Sequence, residues 1–287
     1  MSALHARWSV LLAALFFSTG GAAIKGLSLT GAQRVGFRSA IAAVFLLAVF
    51  PPARRLPTRG TLVVGSFYAL TVASFVLANT YTTAATAIFV QMLAPIGVLM
   101  LSPWLLGERV RRADLVFLGG LSVGFALLFS APEPASATAP DPRLGLWFAA
   151  LACVGWTGTV MGLRRLARGA RPEADASVAA MVLGNAIACA GASPWALPVE
   201  AISLRDAGLL CWLGVFQVGV ANLCLTRGLR HVSALEASML IMLEPVLNPL
   251  WTWVVHHEEP HPLTLFGGAI VLLATLTHAL ATARSRA

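Results

Sequence analysis

"MLAPIGVLMLSPWLLGE", Met92 to Glu108, is part of an apolar run long enough to cross a membrane, with a proline inside it and a glutamate closing it. "MLEPVLNPLWTWVVHHE", Met242 to Glu258, repeats Met, Leu, Pro and Glu at the same places, 150 residues further along. One chain therefore uses the same interrupted apolar segment twice, and the reading of the fold starts from that recurrence.

Composition sets the medium. The 287-residue chain is 58% hydrophobic and 11% charged, more apolar surface than a polar exterior can enclose in water. An all-α integral membrane protein follows. Runs of roughly 20 apolar residues, enough to cross ~30 Å of hydrocarbon as a helix, lie at Trp8–Ser28, Ala32–Phe50, Gly60–Asn79, Thr83–Leu106, Ala113–Ala131, Leu144–Leu163, Ala176–Leu197, Ala207–Gly228, Ser233–Val255 and Leu263–Thr282. These make ten transmembrane helices.

Arginine orients them, because basic connections stay in the cytoplasm. Arg54, Arg55 and Arg59, then Arg109, Arg111 and Arg112, then Arg164, Arg165, Arg168 and Arg171, then Arg227 and Arg230 occupy alternate connections. The other side holds Arg143 and Arg205 among six acids. Both termini are expected in the cytoplasm of a bacterial cell with the chain in its inner membrane. The net charge of +8 has this origin. A nucleic-acid surface would need basic residues clustered on an extramembrane domain, and no connection is long enough to form one. The lipid bilayer is the expected partner. "PEPASATAPDPR", Pro132 to Arg143, reads as an extended external linker, dividing the chain into 1–131, 132–143 and 144–287.

The two parts repeat. "AALFFSTGGAAIKGL" (Ala13 to Leu27) aligns without a gap on "AALACVGWTGTVMGL" (Ala149 to Leu163), and Ala84, Ala87, Met92, Leu93, Pro95 and Glu108 face Ala234, Ala237, Met242, Leu243, Pro245 and Glu258 at constant spacing. Five helices per copy is an odd number, so the second copy enters the membrane from the opposite side. Two inverted five-helix repeats around a central cavity are a common construction of secondary transporters, whose equivalent halves exchange conformations.

The Ala-rich helix start, midspan proline, terminal glutamate and following Gly-bearing helix, present as "AATAIFVQMLAPIGVLMLSPWLLGE" and "ALEASMLIMLEPVLNPLWTWVVHHE", resemble the EamA-type members of the drug/metabolite transporter superfamily over essentially the whole chain. The chain is similar to the YddG-type amino-acid exporters. The resemblance implies export of amino acids or other small metabolites. "FFST" (Phe16 to Thr19) stands where many members have Trp-Gly, and His257 stands where the second half usually has Gly.

Pro95 and Pro245 fall about 17 Å along their helices at 1.5 Å per residue, near the bilayer centre. Each lacks an N–H and displaces the i−4 carbonyl, of Gln91 and of Ile241, so each bend is either a packing kink or a cavity-lining break. Glu244 is the informative charge, costing at least ~2.5 kcal/mol near the midplane unless paired, hydrated or protonated. Its first-half counterpart is Ala94. A hydrogen-bonded or neutral acid, a partner for a substrate ammonium and a proton relay are its three readings. Glu108 and Glu258 belong at opposite interfaces, as anchors or gate contacts. Lys25 and Arg34 are expected to snorkel outward, and the deeper Arg38 to pair with an acid. Of the tryptophans only Trp156 falls midspan, the others reading as interfacial belts.

With Ser18, Thr19, Gln91, Met92, Gln217, Asn222, Met242 and Asn248 at midspan, and Asn79 and Tyr81 at the outer mouth, the expected pocket is roomy and amphipathic. It suits an amino acid or similar metabolite, aromatic or hydrophobic ones first, with protons as the candidate driving ion. A drug-like solute is the nearest alternative, followed by a passive channel or an intramembrane hydrolase. "HEEPH", His257 to His261, spells a zinc-protease pattern, but Pro260 interrupts the helix that must hold both histidines. "GLSVG", Gly120 to Gly124, spells a hydrolase elbow inside an apolar helix, where small-residue packing explains it. Cys153, Cys189, Cys211 and Cys224 have no metal-ligand spacing. No metal, cofactor or catalytic residue is expected, and no nucleotide loop is present.

Overall fold

The computed structural model describes residues 3–54, 57–107, 112–167, 176–199, 201–229, 231–232 and 234–284. Among them every regular element is a helix. The first span is two helices, α1 (Ala3–Ser18) and α2 (Gly20–Lys25); the second is α3 (Gly31–Val49) and the third α4 (Arg59–Tyr81). The fourth is α5 (Ala84–Gln91) and α6 (Ala94–Leu106), the fifth α7 (Arg112–Ser130), the sixth α8 (Pro142–Ala167) and the seventh α9 (Ala176–Ala196). The eighth runs through α10 (Leu204–Cys211), a π-helical stretch (Trp212–Val220) and α11 (Ala221–Leu229), the ninth through α12 (Ala234–Ile241) and α13 (Leu243–His256), and α14 (Pro262–Arg284) is the tenth. Nine of these, by their described residues, are single apolar stretches long enough to cross a membrane; the α12–α13 pair fills the ninth place.

Local chemistry sets the boundaries. Thr30, Thr58, Thr83 and Ser203 each accept the N–H of the third residue of the helix that follows, and Thr30 with Gln33 forms a reciprocal capping box. α6 stops at Gly107 with φ +66°, and α13 at His257 with φ +53°. These positions are repeat mates, so the second copy keeps the left-handed stop although its residue carries a Cβ that disfavours it.

The broken spans differ from the sequence expectation in an instructive way. The interruption falls at Met92–Leu93 and at Met242, two or three residues ahead of each proline. Pro95 and Pro245 thus occupy the first turn of a new helix, where an absent N–H removes nothing the helix would have used. The first span, expected to be continuous, breaks at Thr19, and the eighth widens into π-helix.

Packing has the exchange symmetry of an inverted repeat. The first span packs on the eighth and ninth; its mate, the sixth, packs on the third and fourth. The second and seventh spans pair with each other, as do the fifth and tenth. Glycines permit the closest approaches: a Cβ on Gly155 would lie 2.7 Å from the Thr71 amide nitrogen, and one on Gly158 2.3 Å from Phe67 Cδ1. Neither repeat keeps its core to itself.

Candidate functional site

Three interruptions, in the first, fourth and ninth spans, mark out the centre of the bundle. At the break in the first span, Thr19 Oγ1 and Ser18 Oγ donate to Phe16 O and Leu15 O. The same hydroxyls accept two indole N–H groups, Trp212 Nε1 on Thr19 and Trp251 Nε1 on Ser18, both at 3.0 Å. Trp212 and Trp251 therefore turn inward to the first span instead of joining an interfacial belt. Phe16 packs edge-on against Trp212 at 5.8 Å, and Trp212 stacks on Phe216 at 5.0 Å. Sequence position carries no sign of this cluster, because Trp212 and Trp251 lie only a few residues from their run ends.

Glu244 sits in the first turn of α13, half-buried. Free N–H groups and the positive end of the helix dipole favour a carboxylate there, a reason for a midspan acid that depends on the break. Met92 caps the end of α5 and Met242 the start of α13. Gln91 beside Met92 has a buried Oε1 without a protein partner. Trp156 is half-buried against the core, and neighbouring Thr157 Oγ1 donates to Ala94 O at 3.1 Å, tying the sixth span to the start of α6.

Other expected ligand residues are engaged within the protein. Gln217 is buried, its Oε1 accepting from Arg38 Nη2 at 2.9 Å. Arg38 was expected to meet an acid; it meets this amide. Asn222 is buried and donates to Val218 O at 2.7 Å on its own span. Asn79, expected at the outer mouth, is fully buried here, and its amide donates to Phe75 O. Asn248, also fully buried, has both side-chain polar atoms unpartnered and lies close against Gly21. Tyr81 stacks on Phe148 at 5.9 Å.

The arginine-poor end is closed by polar ties. Lys25, 2% exposed, does not snorkel: its Nζ lies 2.8 Å from Glu258 Oε2 and donates to Thr82 O and Thr138 O. Glu258 Oε1 accepts the Ala84 N–H at 2.7 Å. Arg34 folds back onto Leu27 O and Leu29 O, capping the turn after α2, and His256 Nε2 donates to Ala22 O. The linker is not a free spacer, since its Glu133 accepts hydroxyls from Thr82, Thr83, Thr86 and Thr264. A cleft of about 630 Å³ opens beside it, lined by Thr82, Thr86, Phe129, Glu133, Arg143 and Leu146. At the opposite end Arg7 pairs with Glu236. Glu108 lies outside the described residues.

The hydrolase spellings find no supporting geometry. Ser122 Oγ donates to Leu118 O on its own helix, and Glu258 is committed to Lys25. Among the described residues no three His, Cys, Asp or Glu side chains gather as for a metal.

The sequence profile of the EamA-like transporter family matches residues 6–130 and 143–279. The pseudopaline exporter CntI of Pseudomonas aeruginosa is 30% identical over 274 residues, covering 93% of both chains, in strain UCBPP-PA14 and in strain PAO1 alike. A crystal structure of a protein 21% identical superposes with a TM-score of 0.64 over 98% of this chain and 99% of the other. That likeness concerns the fold.

Proposed function

The chain belongs to the EamA-like transporter family, and from that premise we propose that it exports amino acids, aromatic or hydrophobic ones first, by alternating access about the three midspan breaks. The family and the relatives are transporters of small molecules; the amino-acid substrate is our own reading. The observation that carries it is the placement of Glu244 at the start of α13, where a single carboxylate can meet a solute ammonium and, by exchanging it for a proton, couple export to the proton gradient. The aromatic cluster of Phe16, Trp212 and Phe216 supplies an apolar wall. The arginine-rich end faces the cytoplasm with both termini, in the inner membrane of a bacterium, so the polar ties close the external side. The two repeats meet at the 132–143 linker.

Purified protein in liposomes, offered the standard amino acids in labelled form, should give saturable flux and counterflow for at least one. E244Q should keep the folded state and lose acceleration by an imposed pH gradient. If no amino acid moves in either direction, the substrate reading fails. Flux without saturation would make the protein a channel. The identity to pseudopaline exporters over nearly the whole chain favours a second reading, a pseudopaline-like solute, which the same liposomes test with that compound.

A further inference from the structure

Lys25 and Glu258 form a buried ion pair between the end of the first span and the segment after the ninth. It bridges elements that must part if this end opens: Lys25 also holds Thr82 O, ahead of the fourth span, and Thr138 O in the linker. Lys25 itself has no charged counterpart in the second repeat. The alignment that places Ala13 on Ala149 places Lys25 on Met161, which touches Ser102 on α6 through sulfur at 3.9 Å.

The partners are unequally provided for on separation. Glu258 keeps a second anchor, the Ala84 N–H in the first turn of α5, where a helix start favours an anion. The other partners of Lys25 are neutral carbonyls, so on opening it loses the carboxylate it touches. A buried ion deprived of its partner is strongly destabilising, so opening calls for a replacement anion.

We propose that Lys25 is the carboxylate subsite of the exit: its ammonium exchanges Glu258 for the carboxylate of the departing solute, and this exchange releases the closed end. The inference rests on the exporter reading and adds that the solute's acid group, not only its amine, is recognised. No proton moves in the exchange, and Glu258 stays anionic on the Ala84 amide. The route onward fits, because Thr82 also lines the external cleft, where Arg143 supplies a second cation.

Hydrogen exchange of the amides of residues 85–86, measured on the protein in lipid nanodiscs, reads opening, since Ala85 and Thr86 are buried while this end is closed and Glu258 holds neither amide. Among the standard amino acids, at least one should accelerate this exchange while its carboxamide does not. The K25M/E258Q double variant, which leaves no buried ion unpaired, should exchange about tenfold faster without solute, the equivalent of about 1.4 kcal/mol of lost closure, and should ignore carboxylates. The proposal is overturned if no amino acid accelerates exchange, if carboxamides act equally, or if the double variant stays as protected as the parent. Exchange that responds to carboxylates while nothing crosses liposomes would refute amino-acid export and leave the Lys25 site standing. Flux with equal responses would do the reverse.

Discussion

Replacing Gly155 with alanine tests whether the third and sixth spans touch backbone to backbone. The added Cβ would lie 2.7 Å from the Thr71 nitrogen and 3.0 Å from the Phe67 oxygen of α4. Atoms in the middle of a helix cannot swing aside as a side chain can, so α4 and α8 must separate by roughly half an ångström in an interior packed to crystal density. The seam continues through Gly158 against Phe67 and Gly162 against Val64, so separation loosens contacts along its length. Overpacking of this kind costs about 1–3 kcal/mol, and 2 kcal/mol corresponds to a melting temperature lower by about 4–8 °C in a chain of this size. Gly119 is the control, because its Cβ would meet nothing within 4 Å, and alanine there changes helix propensity by about 1 kcal/mol in the favourable direction. The assay is thermal unfolding of both variants in one detergent, followed by tryptophan fluorescence. If G155A melts with G119A, the close crossing of third and sixth spans is wrong.

H257G should raise the melting temperature, since it relieves a non-glycine residue at φ +53° worth about 1–2 kcal/mol; thermal unfolding reads it. W251F and W212F each remove an indole donor from the break in the first span and should cost about 1 kcal/mol apiece, with transport falling further than stability when flux and melting are measured together. E133Q replaces a carboxylate that serves four threonine hydroxyls and should speed proteolysis between Pro132 and Arg143 several-fold, while cleavage elsewhere is unchanged.

Much of the fold could be read from periodicity and charge because lipid imposes its own grammar: long apolar runs, basic ends, and few places where backbone is left without a partner. The spans, the repeat and the two interrupted helices came from that grammar. The break at Thr19 did not, because Ser18-Thr19-Gly20-Gly21 carries no proline and its disruption depends on indoles arriving from the eighth and ninth spans. The π-helical stretch at Trp212–Val220 likewise leaves no local signature. Midspan polar residues look alike in sequence: Gln91 and Glu244 lie at the breaks, whereas Gln217 ties the eighth span to Arg38 of the second, and only three-dimensional neighbours tell these apart. Lys25 was misjudged for the same reason, since its partner Glu258 is remote in sequence.

Cross-packing of the two repeats also bears on how the protein is made. The first span leaves the ribosome long before the eighth and ninth, the helices it packs against, exist. Until then its main packing partners are missing, and its serine, threonine and lysine are unanswered by Trp251, Trp212 and Glu258. Synthesis of the second repeat therefore completes the assembly of the first, and a nascent chain stalled before the ninth span would present the quality-control machinery with an orphaned lysine in the bilayer.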